Sequence, residues 1–71
     1  MSYRNGVLKL RRELARIERS VAGADPAIRA MVADQISYRA PELIRATRSG
    51  SADMLRSTVA ELRDRIAVIA A

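Results

Sequence analysis

Apolar residues recur along this chain at helical spacing in three separate blocks. In the first, Tyr3, Val7, Leu10, Leu14, Ile17 and Val21 follow at intervals of 4-3-4-3-4, the spacing of a coiled-coil seam. In the last, Ala52, Leu55, Val59, Leu62, Ile66 and Ile69 follow at 3-4-3-4-3. No stretch alternates apolar and polar residues as a half-buried strand does. The middle block is broader. Placed at about 100° per residue, Ile28, Met31, Val32, Ile36, Ala40, Leu43, Ile44 and Ala46 cover well over a third of a helix circumference, and only Asp34, Ser37, Pro41, Arg45 and Arg48 form a polar strip. A face that wide suits a central helix with neighbours on two sides.

Two clusters of turn residues separate the blocks. Gly23 offers a left-handed helix end, Asp25 an N-cap and Pro26 a first helical position. Gly50 closes, Ser51 caps and Asp53 complements the new helix dipole. The prediction is an all-α, three-helix unit forming a single domain over 1–71, with helices over about 3–22, 26–48 and 52–70. Asn5-Gly6 is a turn signal that would delay the first helix to about Val7. Pro41 would normally break the second. It falls on the polar strip, the convex side of a bent helix, which favours one helix kinked near 38–41 over two short helices. Both connections are short, so consecutive helices should run antiparallel and touch.

Composition removes whole classes of chemistry. The chain has no histidine, cysteine, tryptophan or phenylalanine, which excludes disulfides, zinc fingers, haem ligation and thiol or imidazole catalysis. No two of its eight carboxylates form an obvious pair on an apolar helix face, Glu61 being placed to pair with Arg65 at i, i+4. None of its serines lies in a nucleophile elbow. We therefore expect no enzyme, no cofactor and no metal site. The apolar run Ile66–Ala71 is much too short to span a bilayer, and no charged start followed by an apolar segment marks a signal peptide; a cytoplasmic protein without membrane contact is expected.

The aromatics are Tyr3 and Tyr38 alone, beside nineteen large aliphatic residues when Met1 is left out. So small an apolar payload makes a lone chain marginal, and oligomerisation is the usual remedy when disulfides and metals are missing. A homodimer is expected, joined by coiled-coil-like seams with Leu10, Leu14, Ile17, Leu62, Ile66 and Ile69 at the oligomer interface, and with the apolar end of the third helix docked into it.

Charge adds the one feature with a direct functional reading. Thirteen basic residues oppose eight acidic ones, and twelve of the thirteen are arginine. Residues 1–22 hold six basic and two acidic side chains, whereas residues 50–71 hold three of each. Lys9, Arg12, Arg16 and Arg19 recur at 3-4-3 spacing opposite the apolar seam, a row about 15 Å long at the helical rise. Such a row docks an acidic protein surface or binds phosphates, and otherwise serves as a solvated face. No aromatic is interleaved with it to stack on a base, so nucleic acid is the second choice. On the middle helix, Gln35 and Arg39 project into an otherwise apolar arc. Arg39 needs a carboxylate such as Glu42 there, and Gln35, Tyr38 and Arg39 together are candidates for a second contact surface. The expected function is that of a small homo-oligomeric helical interaction module, a regulator or adaptor acting by binding an unidentified protein partner. The alternative is a small basic nucleic-acid-binding protein that uses the arginine row on the phosphate backbone.

Overall fold

In the computed structural model, which describes residues 2–71, the chain forms three α-helices: α1 (Tyr3–Ser20), α2 (Pro26–Arg48) and α3 (Ala52–Ala70). They pack side by side into a rod of 37 × 16 × 16 Å. Consecutive helices run antiparallel, so α1 and α3 point the same way. α2 packs most closely against α3, and α1 lies against both.

The helix starts follow from capping chemistry. Ser2 is extended (φ −75°, ψ 157°), and its hydroxyl accepts from the Asn5 amide at 3.2 Å. That cap draws Asn5 and Gly6 into the first turn, so the turn read from these two residues does not form. Gly6 is instead buried within α1, while Tyr3, assigned to the seam, is exposed. At the start of α3, the Ser51 hydroxyl accepts from the Met54 amide at 3.1 Å. Asp25 stands at the N-cap of α2 without a side-chain cap bond, and Pro26 supplies the preset first turn.

The helix ends differ from each other. Gly50 has φ 73°, the left-handed closure that favours glycine. Gly23 does not adopt it. α1 ends through i→i−3 bonds, with the Val21 amide donating to the Glu18 carbonyl and the Ala22 amide to the Arg19 carbonyl, both at 3.3 Å. This tightened last turn satisfies the terminal carbonyls without a left-handed residue.

α2 runs unbroken through Pro41, which excludes the reading as two short helices. The polar strip is the reason a proline is tolerated: Asp34, Ser37, Pro41, Arg45 and Arg48 are all exposed. The missing amide of Pro41 therefore opens a helix bond on the wet side, where water can take the free carbonyl.

The core is built mostly by α2 and α3. Val32, Leu43 and Ala46 from α2 meet Leu55, Val59, Leu62 and Ile66 from α3, and Leu55 and Leu62 are 0% exposed. α1 and its C-terminal turn add Ile17 and Val21, with Leu10 and Leu14 half-buried against the cluster. Among the described residues one polar side chain is buried, Thr47, and its hydroxyl donates to the Leu43 carbonyl at 2.8 Å. Helices 1 and 3 thus pair within one chain. Ile17, Leu62 and Ile66, assigned to an oligomer seam, are buried inside this core, and Leu10, Leu14 and Ile69 pack against it half-buried.

Candidate functional site

The basic row lies on α1, where Arg12, Arg16 and Arg19 are exposed and Lys9 half-buried. Among the described residues, no carboxylate approaches Lys9, Arg12 or Arg19 within 4.0 Å. Arg16 lies 3.6 Å from Glu13, one turn back. The same carboxylate receives Arg63 from α3. Glu13 is therefore spent as the tie between α1 and α3, and it neutralises little of the row.

One edge of the row borders the bundle rather than open solvent. Lys9 and Arg16 stand at the edge of a trough between α1 and α3, and they also share an open depression along α1 with Arg12, while Arg19 is exposed and lines neither. The trough has two parts joined at Arg63. A wide part of about 410 Å³ lies between Arg16 and Arg63 and is floored by Ile17, Val21, Ile66 and Ala67. A narrow part of about 90 Å³ lies between Lys9, Arg56 and Arg63 over Leu55 and Val59. Charge at the rim and apolar carbon at the floor make this an amphipathic site. Pairing the helices within one chain exposes that relation, which reading α1 alone places out of reach.

The second expected surface is on α2. Arg39 donates to Glu42 at 3.1 Å and faces Glu61 of α3 at 3.7 Å, with its side chain 15% exposed. Its Nε is buried without a partner. The guanidinium lies over the α2–α3 boundary with its stem against the bundle. Glu61 lies within 3.7 Å of Arg39, on the neighbouring helix, and not within 4.0 Å of Arg65. Gln35 is half-buried, and Tyr38 is 75% exposed. Asp64 and Arg65 complete a shallow polar depression with Arg39 and Glu61.

Apolar side chains outside the core were harder to foresee. Leu8, Met31, Ile44, Met54 and Val68 are all substantially exposed, Val68 at 78%. Met31 and Ile44 belong to the broad apolar arc of α2, which two neighbouring helices cover only in part. A third groove, about 410 Å³, runs between α1 and α2 past Glu18, Arg29, Val32 and Ile36. Among the described residues no cluster of carboxylates could hold a metal ion, and no helix is long and apolar enough to cross a membrane. Comparison of the chain with protein-family models, with curated proteins and with solved structures gives no match.

Proposed function

We propose that this chain is a homo-oligomeric helical interaction module, a regulator or adaptor that works by binding another protein. The observation that carries this reading is how much apolar surface one chain leaves outside. Tyr3, Leu8, Met31, Tyr38, Ile44, Met54 and Val68 are exposed beside a core built largely of Leu, Ile and Val. The accessible surface is 4899 Å², against about 4,400 Å² for a folded monomer of this mass. Part of that excess comes from the elongated shape, and the exposed apolar side chains are what supports a contact surface.

The face best suited to a second copy is that of α2 and α3. It carries Met31, Tyr38 and Val68 around cations and carboxylates of both signs, Arg39 and Arg65 with Glu42, Glu61 and Asp64. Such a face meets its own copy about a two-fold axis without like-charge repulsion. α1 with its cations then remains free for a different, acidic partner. Sedimentation equilibrium tests the oligomer: the expected mass is twice 7.8 kDa, reduced toward the monomer by Tyr38→Glu. A mass of one chain at concentrations up to about 1 mM contradicts it.

The unpaired Lys9, Arg12 and Arg19 favour one second reading, a protein that binds the nucleic-acid backbone. That reading requires a gel shift with any duplex at low salt that weakens steeply as salt rises. No shift at about 50 mM salt eliminates it.

A further inference from the structure

We propose that the trough between α1 and α3 is the docking site for an amphipathic helix flanked by carboxylates and supplied by a different protein. This inference rests on the interaction-module reading and names the chemistry of the partner.

Shape is the first argument. α1 and α3 are parallel neighbours, with α2 covering the boundary on one side. On the other side the boundary is a shallow trough in which exposed Ala60, Ala67 and Ala70 overlie Ile17, Val21, Leu55, Val59 and Ile66, which are themselves buried. From Lys9 to Val21 along α1 the trough extends about 18 Å at the helical rise. That is the length of a helix of between three and four turns, lying where the fourth member of a bundle would lie.

Charge decides the occupant. Four cations, Lys9, Arg16, Arg56 and Arg63, edge the trough; Glu13 receives Arg16 and Arg63, and Asp53 holds Arg56 at 2.9 Å, so the rim keeps an excess of positive charge and Lys9 meets no carboxylate among the described residues. A helix laid here places its apolar stripe on the floor and its flanking positions beside the cations on both rims. Glutamates at those flanks satisfy both rims at once. A second copy of this chain does not fit. Its own α1 is the most basic part of the molecule, so the trough and α1 repel, and its α2–α3 face is of mixed sign. A nucleic-acid backbone would use the cations but would leave the apolar floor uncovered. The α1–α2 groove lacks this asymmetry, having one cation, Arg29, and one carboxylate, Glu18.

The test uses the full chain and a synthetic, stapled helix of about 12 residues, with Leu at the seam positions and Glu at both flanks. A matched peptide with Gln at the flanks and a short DNA duplex serve as comparisons. Binding is followed by amide chemical-shift changes, and the mass of the free chain is measured on the same sample. The Glu peptide should bind about tenfold or more tightly than the Gln peptide at low salt. Its shifts should centre on Ser20, Ala60, Ala67 and Ala70. Ala67→Arg plugs the exposed floor while adding a cation, so a loss of about tenfold or more identifies filling of the trough rather than simple attraction. Equal binding of the two peptides, shifts centred on α2, displacement of the peptide by duplex, or undiminished binding to Ala67→Arg overturns the proposal. So does no binding at about 1 mM peptide. If the trough stays empty while the free chain sediments as a dimer, the docking proposal fails and the interaction-module reading stands. A monomer with an empty trough removes both.

Discussion

Gly23 and Gly50 both follow a helix, yet replacing each by alanine should move stability in opposite directions. Gly50 holds φ 73°. Placing a Cβ in that left-handed conformation costs about 1–2 kcal/mol, offset by about 0.4–1 kcal/mol because alanine narrows the unfolded ensemble. The net loss is about 1 kcal/mol. Gly23 avoids the left-handed region, and a Cβ built there meets nothing within 4 Å. The unfolded-state gain of about 0.4–1 kcal/mol should therefore appear in full. The two variants should differ by about 1.5–2 kcal/mol, or about 10 °C in melting temperature for a domain of this size. Thermal and urea unfolding followed by circular dichroism reads this directly. All samples must share one protein concentration, since self-association shifts apparent stability. Gly50→Ala as stable as the parent, or Gly23→Ala weaker by 1 kcal/mol or so, would refute the assignment of the two helix ends.

Leu62→Ala should cost about 2–5 kcal/mol by urea unfolding, because Leu62 is fully enclosed between helices. Arg39→Met should leave stability within about 1 kcal/mol of the parent, since its Nε is buried without a partner and both its carboxylates are largely solvated; a large loss by the same assay would show that the ion pair fixes the α2–α3 packing. Replacing Lys9, Arg12 and Arg19 together by Gln should shift stability by no more than about 0.5 kcal/mol, as none of the three meets a carboxylate. The same variant should weaken binding to an acidic partner only in part, measured by calorimetry at low salt, because Arg16, Arg56 and Arg63 still edge the trough.

Most of the fold was legible where local chemistry and tertiary packing ask for the same residue. The polar strip on α2 passes through Pro41 and lies wholly outside, so the period that predicts a wide buried face also predicts a proline that does no harm. The seam of α3 from Leu55 to Ile66 is interior as its spacing implies. Local signals misled where a stronger neighbour competed. Asn5-Gly6 reads as a turn, but the Ser2 cap overrides it. Gly23 reads as a left-handed end, but i→i−3 bonds close α1 first. Glu61 reads as a partner for Arg65, and Arg39, brought in from another helix, takes it.

The candidate surfaces were legible only one helix at a time. The cation row is visible in the spacing of α1. That Lys9 and Arg16 share a trough with Arg56 and Arg63 depends on the pairing of α1 with α3, and spacing within one helix carries no information about its neighbour's register. The same limit explains the seam residues. A 4-3 repeat is equally served by a partner within the chain or outside it; with α1 and α3 joined in one molecule, Ile17, Leu62 and Ile66 are already enclosed.

The measurement that tests the central claim most directly is an affinity pull-down from native host lysate, with and without nuclease, using the parent chain and the Ala67→Arg variant. A binding module predicts a protein retained in a fixed ratio to the parent chain, unaffected by nuclease and lost with the variant. A parent chain that retains nothing, or only material released by nuclease, would contradict it.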